Sequence, residues 1–237
     1  MTVNNVNTSA GNGNVTLTTT AGGNVALAAN SISAGAGTIT INAAGAITDT
    51  TPSVTAGTVN LTAASIGTTG TPVGLAASVV NATSSGFINI STVSAAGAVT
   101  AVLNDTGTGA TVTFAQSGGA ALSATASAAG AVTLSNVGGN LTVASVSTTS
   151  GGIMLTTTSA GNISLGAVTA TGQTVTVNSV GSILNNLAPA LLTAATANLT
   201  GATGIGVLAS PLNIAVTDVS AATTNASVYL NQRVFGN

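Results

Sequence analysis

From Gly130 to Gly181 apolar and polar residues alternate in short bursts, reading GAVTLSNVG, GNLTVASVSTTSG, GIMLTTTSA, GNISLGAVTATG and QTVTVNSVG. Each unit opens on an apolar pair two residues apart: Val132 and Leu134, Leu141 and Val143, Ile153 and Leu155, Ile163 and Leu165, Val175 and Val177. A period of two puts both members on one side of a strand. Strands this short bury little alone, so each must stack on a neighbour carrying the same pattern. A short unit and a long one together span 22 residues (130 to 151), and the next pair spans 21 (152 to 172). Self-similarity at that period predicts a solenoid.

The pattern extends over the whole chain. Units begin at Gly13-Asn14-Val15-Thr16-Leu17 and recur at Gly23-Asn24-Val25-Ala26-Leu27, Gly37-Thr38-Ile39-Thr40-Ile41 and Gly57-Thr58-Val59-Asn60-Leu61. One inward series runs through Val15, Ile39, Val59, Val79, Val99, Leu122, Leu141, Ile163, Ile183 and Ile205, in steps of 19 to 24. A second runs through Val25, Ile47, Ile66, Ile88, Val112, Val132, Ile153, Val175 and Ala197, also in steps of 19 to 24. Two series with one pitch predict two faces of one coil. Lone aliphatics after many triplets (Ile47, Ile66, Val93, Val137, Val146, Val168, Val180) suggest a third, shorter face. Pro52 and Pro72 are 20 apart and Pro189 and Pro211 are 22 apart, which places prolines at corners or strand starts of that coil. Glycine before a triplet fits a tight corner.

The fold expected is therefore all-β: a single-stranded parallel β-helix, or β-solenoid. It has about 20–22 residues per rung, about ten to eleven rungs and a length of about 50 Å. The chain reads as a single domain over residues 1–237. Within it, 1–12 is an N-terminal cap or docking segment, 13–215 the rungs, and 216–237 a C-terminal cap or docking segment. The C-terminal segment holds the only tyrosine and the only arginine.

Composition then narrows the chemistry. The 237 residues include one Arg, three Asp, and no Lys, Glu, His, Cys or Trp, so 2% are charged against about 25% in an ordinary soluble domain. Apolar runs are too short for a membrane helix, and three Phe and one Tyr cannot build the aromatic girdles of a membrane barrel. A hydrophobic content of 45% at regular spacing argues against disorder. Stacked rungs explain the missing charge: side chains about 4.8 Å apart in register repel if alike in charge. A single arginine offers no electrostatic basis for nucleic-acid binding. The start, Met1-Thr2-Val3-Asn4-Asn5, has neither the basic region nor the apolar core of a signal peptide, so a processed segment or another export route is expected.

Gly-Asn-Val-Thr-Leu, Gly-Asn-Ile-Ser-Leu and Ala-Ala-Ser-Ile-Gly at this pitch resemble the repeats of filamentous haemagglutinin-like adhesins of the two-partner secretion type, over about residues 13 to 215. The resemblance implies a right-handed parallel β-helix and a role in an extracellular or cell-surface bacterial fibre.

Carbohydrate hydrolysis commonly needs two carboxylates about 5 to 9.5 Å apart, whereas Asp49 and Asp105 lie 56 residues apart, about 13 Å along the axis. Asp218 lies further still. No catalytic residue, cofactor or metal ligand is therefore expected. Thr38-Ile39-Thr40, Thr111-Val112-Thr113 and Thr174-Val175-Thr176 invite an ice-binding reading, but they fall in different series, and no continuous array is expected. Asn-x-Ser/Thr sequons at Asn14, Asn60, Asn81, Asn89, Asn140, Asn162, Asn198 and Asn225 read mainly as a by-product of alternation.

The expectation is a non-catalytic structural subunit or segment of a bacterial extracellular fibre or adhesin, assembling head-to-tail through its solenoid ends. Tyr229, Leu230, Arg233, Val234 and Phe235 at one end, with Val3 and Val6 at the other, are the candidate docking residues. The expected partners are further copies of the chain, other surface proteins or glycans. The alternative is a monomeric ice- or glycan-binding solenoid using a flat outward Thr/Asn face.

Overall fold

The computed structural model describes residues 1–28, 32–49, 54–93, 97–186 and 191–233. Its strands form one sheet in which every ladder between them is parallel, and the described residues contain no α-helix. The chain winds as a β-solenoid of about ten turns, as the periodicity predicts.

The second inward series is real at every step. Val25 pairs in register with Ile47, then Ile66, Ile88, Val112, Val132, Ile153, Val175 and Ala197, and ends at Val219. Each residue from Val25 to Ala197 is buried. A neighbouring column runs Leu17, Ile41, Leu61, Ala82, Leu103, Ala126, Val146, Val168, Leu192 and Ile214. Stacked aliphatic columns of this kind are the stabilising core, each buried methylene contributing about 0.8 kcal/mol.

The first inward series needs correction. Val59 pairs with Val80, not Val79, and Val80 pairs with Ala101. Val79 pairs with Thr58 and Thr100 on the outer face and is half-buried. Val99, Leu122, Leu141, Ile163 and Ile183 are a separate column, set two residues earlier on the same face and continued by Ile205. Adjacent valines leave the alternation without a phase, and a slip of one residue exchanges the two faces. Of the lone aliphatics, Val146 and Val168 are core, whereas Val93, Val137 and Val180 are exposed.

A third short face does exist in the N-terminal part. Val6 pairs with Ile32, Ile32 with Val54, and Val54 with Leu75. The same inward column then passes through Thr92, Gln116 and Asn136 to Thr157. It changes from aliphatic to polar without leaving the interior.

The boundaries at residues 13 and 215 are not structural. Thr2–Val3 and Val6–Asn7 already belong to the first turn, and Leu212–Ala222 and Leu230–Gln232 continue the ladder. Pro72 and Pro211 each immediately precede a strand, Val73–Ser84 and Leu212–Ala222, where the missing N–H costs no ladder bond. Pro52 and Pro189 lie outside the described residues.

The Gly-Asn opening of the repeat has a physical reason. The carboxamide oxygen of Asn14 accepts the Thr38 N–H at 2.8 Å, and Asn24 takes Ala46, Asn140 takes Asn162, and Asn162 takes Ser182 at the same distance. Each asparagine thus extends the hydrogen-bonded ladder around a corner, where the backbone turns away. The adjoining glycine is required by close packing: a Cβ on Gly139 would run into the Ala120 carbonyl of the previous turn.

Candidate functional site: the two end turns and the outer face

At the C-terminal end the chain completes a last turn over the one before. Tyr229 donates its N–H to Ile205 O at 2.7 Å and accepts from Leu212 N–H at 2.9 Å, which starts the short strand Leu230–Gln232 along Leu212–Ile214. Leu230 is half-buried against the core, and Arg233 is exposed with its N–H bonded to Ile214 O. The Gln232 side chain reaches back to Val216 O at 2.8 Å. Val234 and Phe235 lie outside the described residues. Asp218–Ala222 pairs with the turn below on one edge, and among the described residues nothing pairs on the other. Val219 and Val228, which end two inward columns, are 46% and 39% exposed.

The N-terminal end is arranged similarly. Val3 pairs with Leu27 and is buried, and Val6 is half-buried against the core. The Met1 amino group donates to Asn24 O at 2.7 Å. Val3 and Val6 are thus core residues of the first turn, and what they offer a partner is a backbone edge rather than a projecting side chain. Thr2–Val3, Val6–Asn7 and Val15–Thr18 each pair with a later strand on one side only. The described candidate docking residues, Val3 and Val6 at one end and Tyr229, Leu230 and Arg233 at the other, sit on opposite end turns of the coil.

The outer face carries a feature that the motif search missed. An unbroken outward column runs Thr18, Asn42, Thr62, Thr83, Asn104, Ser127, Ser147, Thr169 and Thr193. Beside it lie Thr16, Thr40, Asn60 and Asn81, where Asn81 Nδ2 donates to Asn60 Oδ1 at 2.8 Å. A continuous hydroxyl and amide array therefore does form. A search for Thr-x-Thr alone could not find it, because threonine, serine and asparagine alternate down the column.

The carboxylates are dispersed. Asp49 is buried, with Oδ2 accepting the Gly74 N–H at 3.0 Å. Asp105 is buried, accepts the Gly107 N–H at 2.8 Å through Oδ1, and among the described residues has no partner for Oδ2. Burial pushes its carboxyl above the usual range, and the Gly107 bond opposes that only in part. Asp218 is exposed on the outer side of the last turn. Among the described residues no three metal-ligating side chains gather. Two open surface hollows, of about 250 Å³ around Gly152 and Met154 and about 350 Å³ around Ala63 and Thr83, are lined by Ala, Gly, Ser, Thr and aliphatic side chains, with no titratable group. No family model, curated protein or solved structure gives a significant match to this chain.

Proposed function

We propose that this chain is a non-catalytic structural segment of a bacterial extracellular or cell-surface fibre or adhesin, lengthened by head-to-tail stacking of its end turns. One observation carries the reading: among the described residues, strands of both end turns pair on one edge only, and aliphatic columns run up to both. A free parallel edge is a template for another strand, and a head-to-tail contact that does not close propagates as a filament. The sequence resemblance to filamentous haemagglutinin-like repeats supports the same reading, as does a surface nearly free of repelling charge. Its partners are then further copies of itself, with other surface proteins or glycans along the sides.

A second reading, a monomeric solenoid binding ice or glycan, is favoured by the nine-residue outward column from Thr18 to Thr193. Negative-stain microscopy of the purified chain separates the two. Fibres of solenoid width support stacking; isolated rods of about 50 Å at every concentration contradict it and leave the second reading.

A further inference from the structure

The inward column that turns polar holds the least satisfied chemistry in the molecule. Thr92, Gln116 and Asn136 occupy consecutive turns, in register, and each is 0% exposed. Among the described residues, Thr92 Oγ1, both amide atoms of Gln116 and Asn136 Oδ1 have no hydrogen-bond partner. Lower in the same column the polar atoms are engaged. Asn136 Nδ2 donates to Ala120 O at 3.0 Å and Asn140 O at 2.8 Å, Thr157 Oγ1 donates to Gly161 O at 3.0 Å, and Ser179 Oγ lies 3.3 Å from Thr157 Oγ1.

Leaving a buried polar group unpaired costs about 1–3 kcal/mol, so four such atoms on three consecutive turns of one column call for an occupant. Successive backbones are about 4.8 Å apart, too far for a direct bond between groups that do not lean together. Equal amides do lean: Asn81 and Asn60 meet at 2.8 Å on the outside. Threonine, glutamine and asparagine differ in length, and no such direct bond forms between them. The occupant must be small, must donate to Oε1 and Oδ1, must accept from Nε2, and can bond the Thr92 hydroxyl in either direction. A cation cannot accept. Water does both, and buried water typically makes two to four such bonds.

We propose that the enclosed corner between Thr92, Gln116 and Asn136 is an internal hydration site, with ordered water bridging Gln116 to Thr92 on one side and to Asn136 on the other. The site lies where the third, aliphatic face ends at Leu75 and the polar column begins.

Two measurements on the intact chain test this. The Gln116 side-chain NH₂ is expected to show a cross-relaxation peak to long-lived water in nitrogen-edited NMR, and a high-resolution crystal structure is expected to place a water oxygen within hydrogen-bond distance of Gln116 and of Thr92 Oγ1 or Asn136 Oδ1. A Gln116 amide bonded directly to protein groups, a dry corner, or a metal ion in that density would each overturn the proposal. Gln116→Met, similar in volume but without hydrogen-bonding atoms, is expected to lose the water signal with Tm unchanged or lowered by about 2–4 °C. A rise in Tm would mean that the amide is unsatisfied in the native protein and would also overturn it.

Discussion

The first four turns and the later ones solve one geometric problem differently. Up to Ser84 the coil turns on three short pairings per circuit, as in Val15–Thr18, Val25–Leu27 and Ile32–Ser33. From Val99 it turns on two longer strands, as in Val99–Asp105 with Val112–Gln116, or Leu141–Thr148 with Ile153–Thr158. The pitch hardly changes between them. What changes is one corner column, aliphatic at Ile32, Val54 and Leu75 and polar at Gln116, Asn136, Thr157 and Ser179. A third side needs a greasy edge to pack. A corner folded directly between two long strands instead needs groups that hydrogen-bond the carbonyls of the turn.

That difference sets the order of mutational costs. Leu75→Ala, in the aliphatic half of the column, should cost about 2–5 kcal/mol through lost burial and a cavity, read from urea denaturation. Thr157→Val, in the polar half, should cost about 1–3 kcal/mol, because it keeps the volume but removes the acceptor of the Val180 N–H, 3.3 Å from Thr157 Oγ1, while Gly161 O keeps its bonds from Ser179 Oγ and Gly181 N–H. If Thr157→Val costs more than Leu75→Ala, the two halves do not differ as described. Asn162→Ala removes the acceptor for Ser182 N–H at a partly exposed corner and should cost about 1 kcal/mol.

The smallest effect is pH-linked. Burial raises the Asp105 carboxyl above its ordinary value of 3.8, so folding favours its protonated form. Its contribution is therefore most favourable below pH 3.8 and is lost as pH rises through the higher folded value. Asp105→Asn should accordingly raise Tm at pH 7 and leave it nearly unchanged at pH 3. A variant less stable than the parent at pH 7 would show the ionised carboxylate to be favourably held.

How much of this could be read in advance depended on the local pattern. The column from Val25 to Ala197 was legible residue by residue, because most members stand in an alternating triplet with one apolar phase and the lone Ile47 and Ile66 fall on the same pitch. The column through Val59 lost its phase at Ala77-Ser78-Val79-Val80, where both phases contain aliphatics. Val93, Val137 and Val180 misled because a lone valine at a corner has no alternating partner to fix its direction. The polar corner column was invisible, since a buried glutamine or asparagine in a strand reads as an outward residue until the register is known. The asparagine corner bonds were half visible: the Gly-Asn dipeptide marked the place, but not the acceptor's partner one turn on. Of the candidate docking residues, Tyr229 and Arg233 stood out by composition, whereas the free strand edges are a property of pairing and have no compositional sign.

The stacking of turns in parallel register is open to direct test because the chain has no cysteine. Thr113 and Thr133 are outward partners on adjacent turns, and Thr133 is followed one turn later by Met154. Partners in register stand about 4.8 Å apart, within the Cα range of about 4.4–6.8 Å that a disulfide spans. Under mild oxidation Thr113→Cys with Thr133→Cys should close an intramolecular disulfide nearly completely by thiol titration and mass, while Thr113→Cys with Met154→Cys, two turns apart, should keep both thiols free. Free thiols in the first pair, or closure of the second as readily as the first, would contradict the coil.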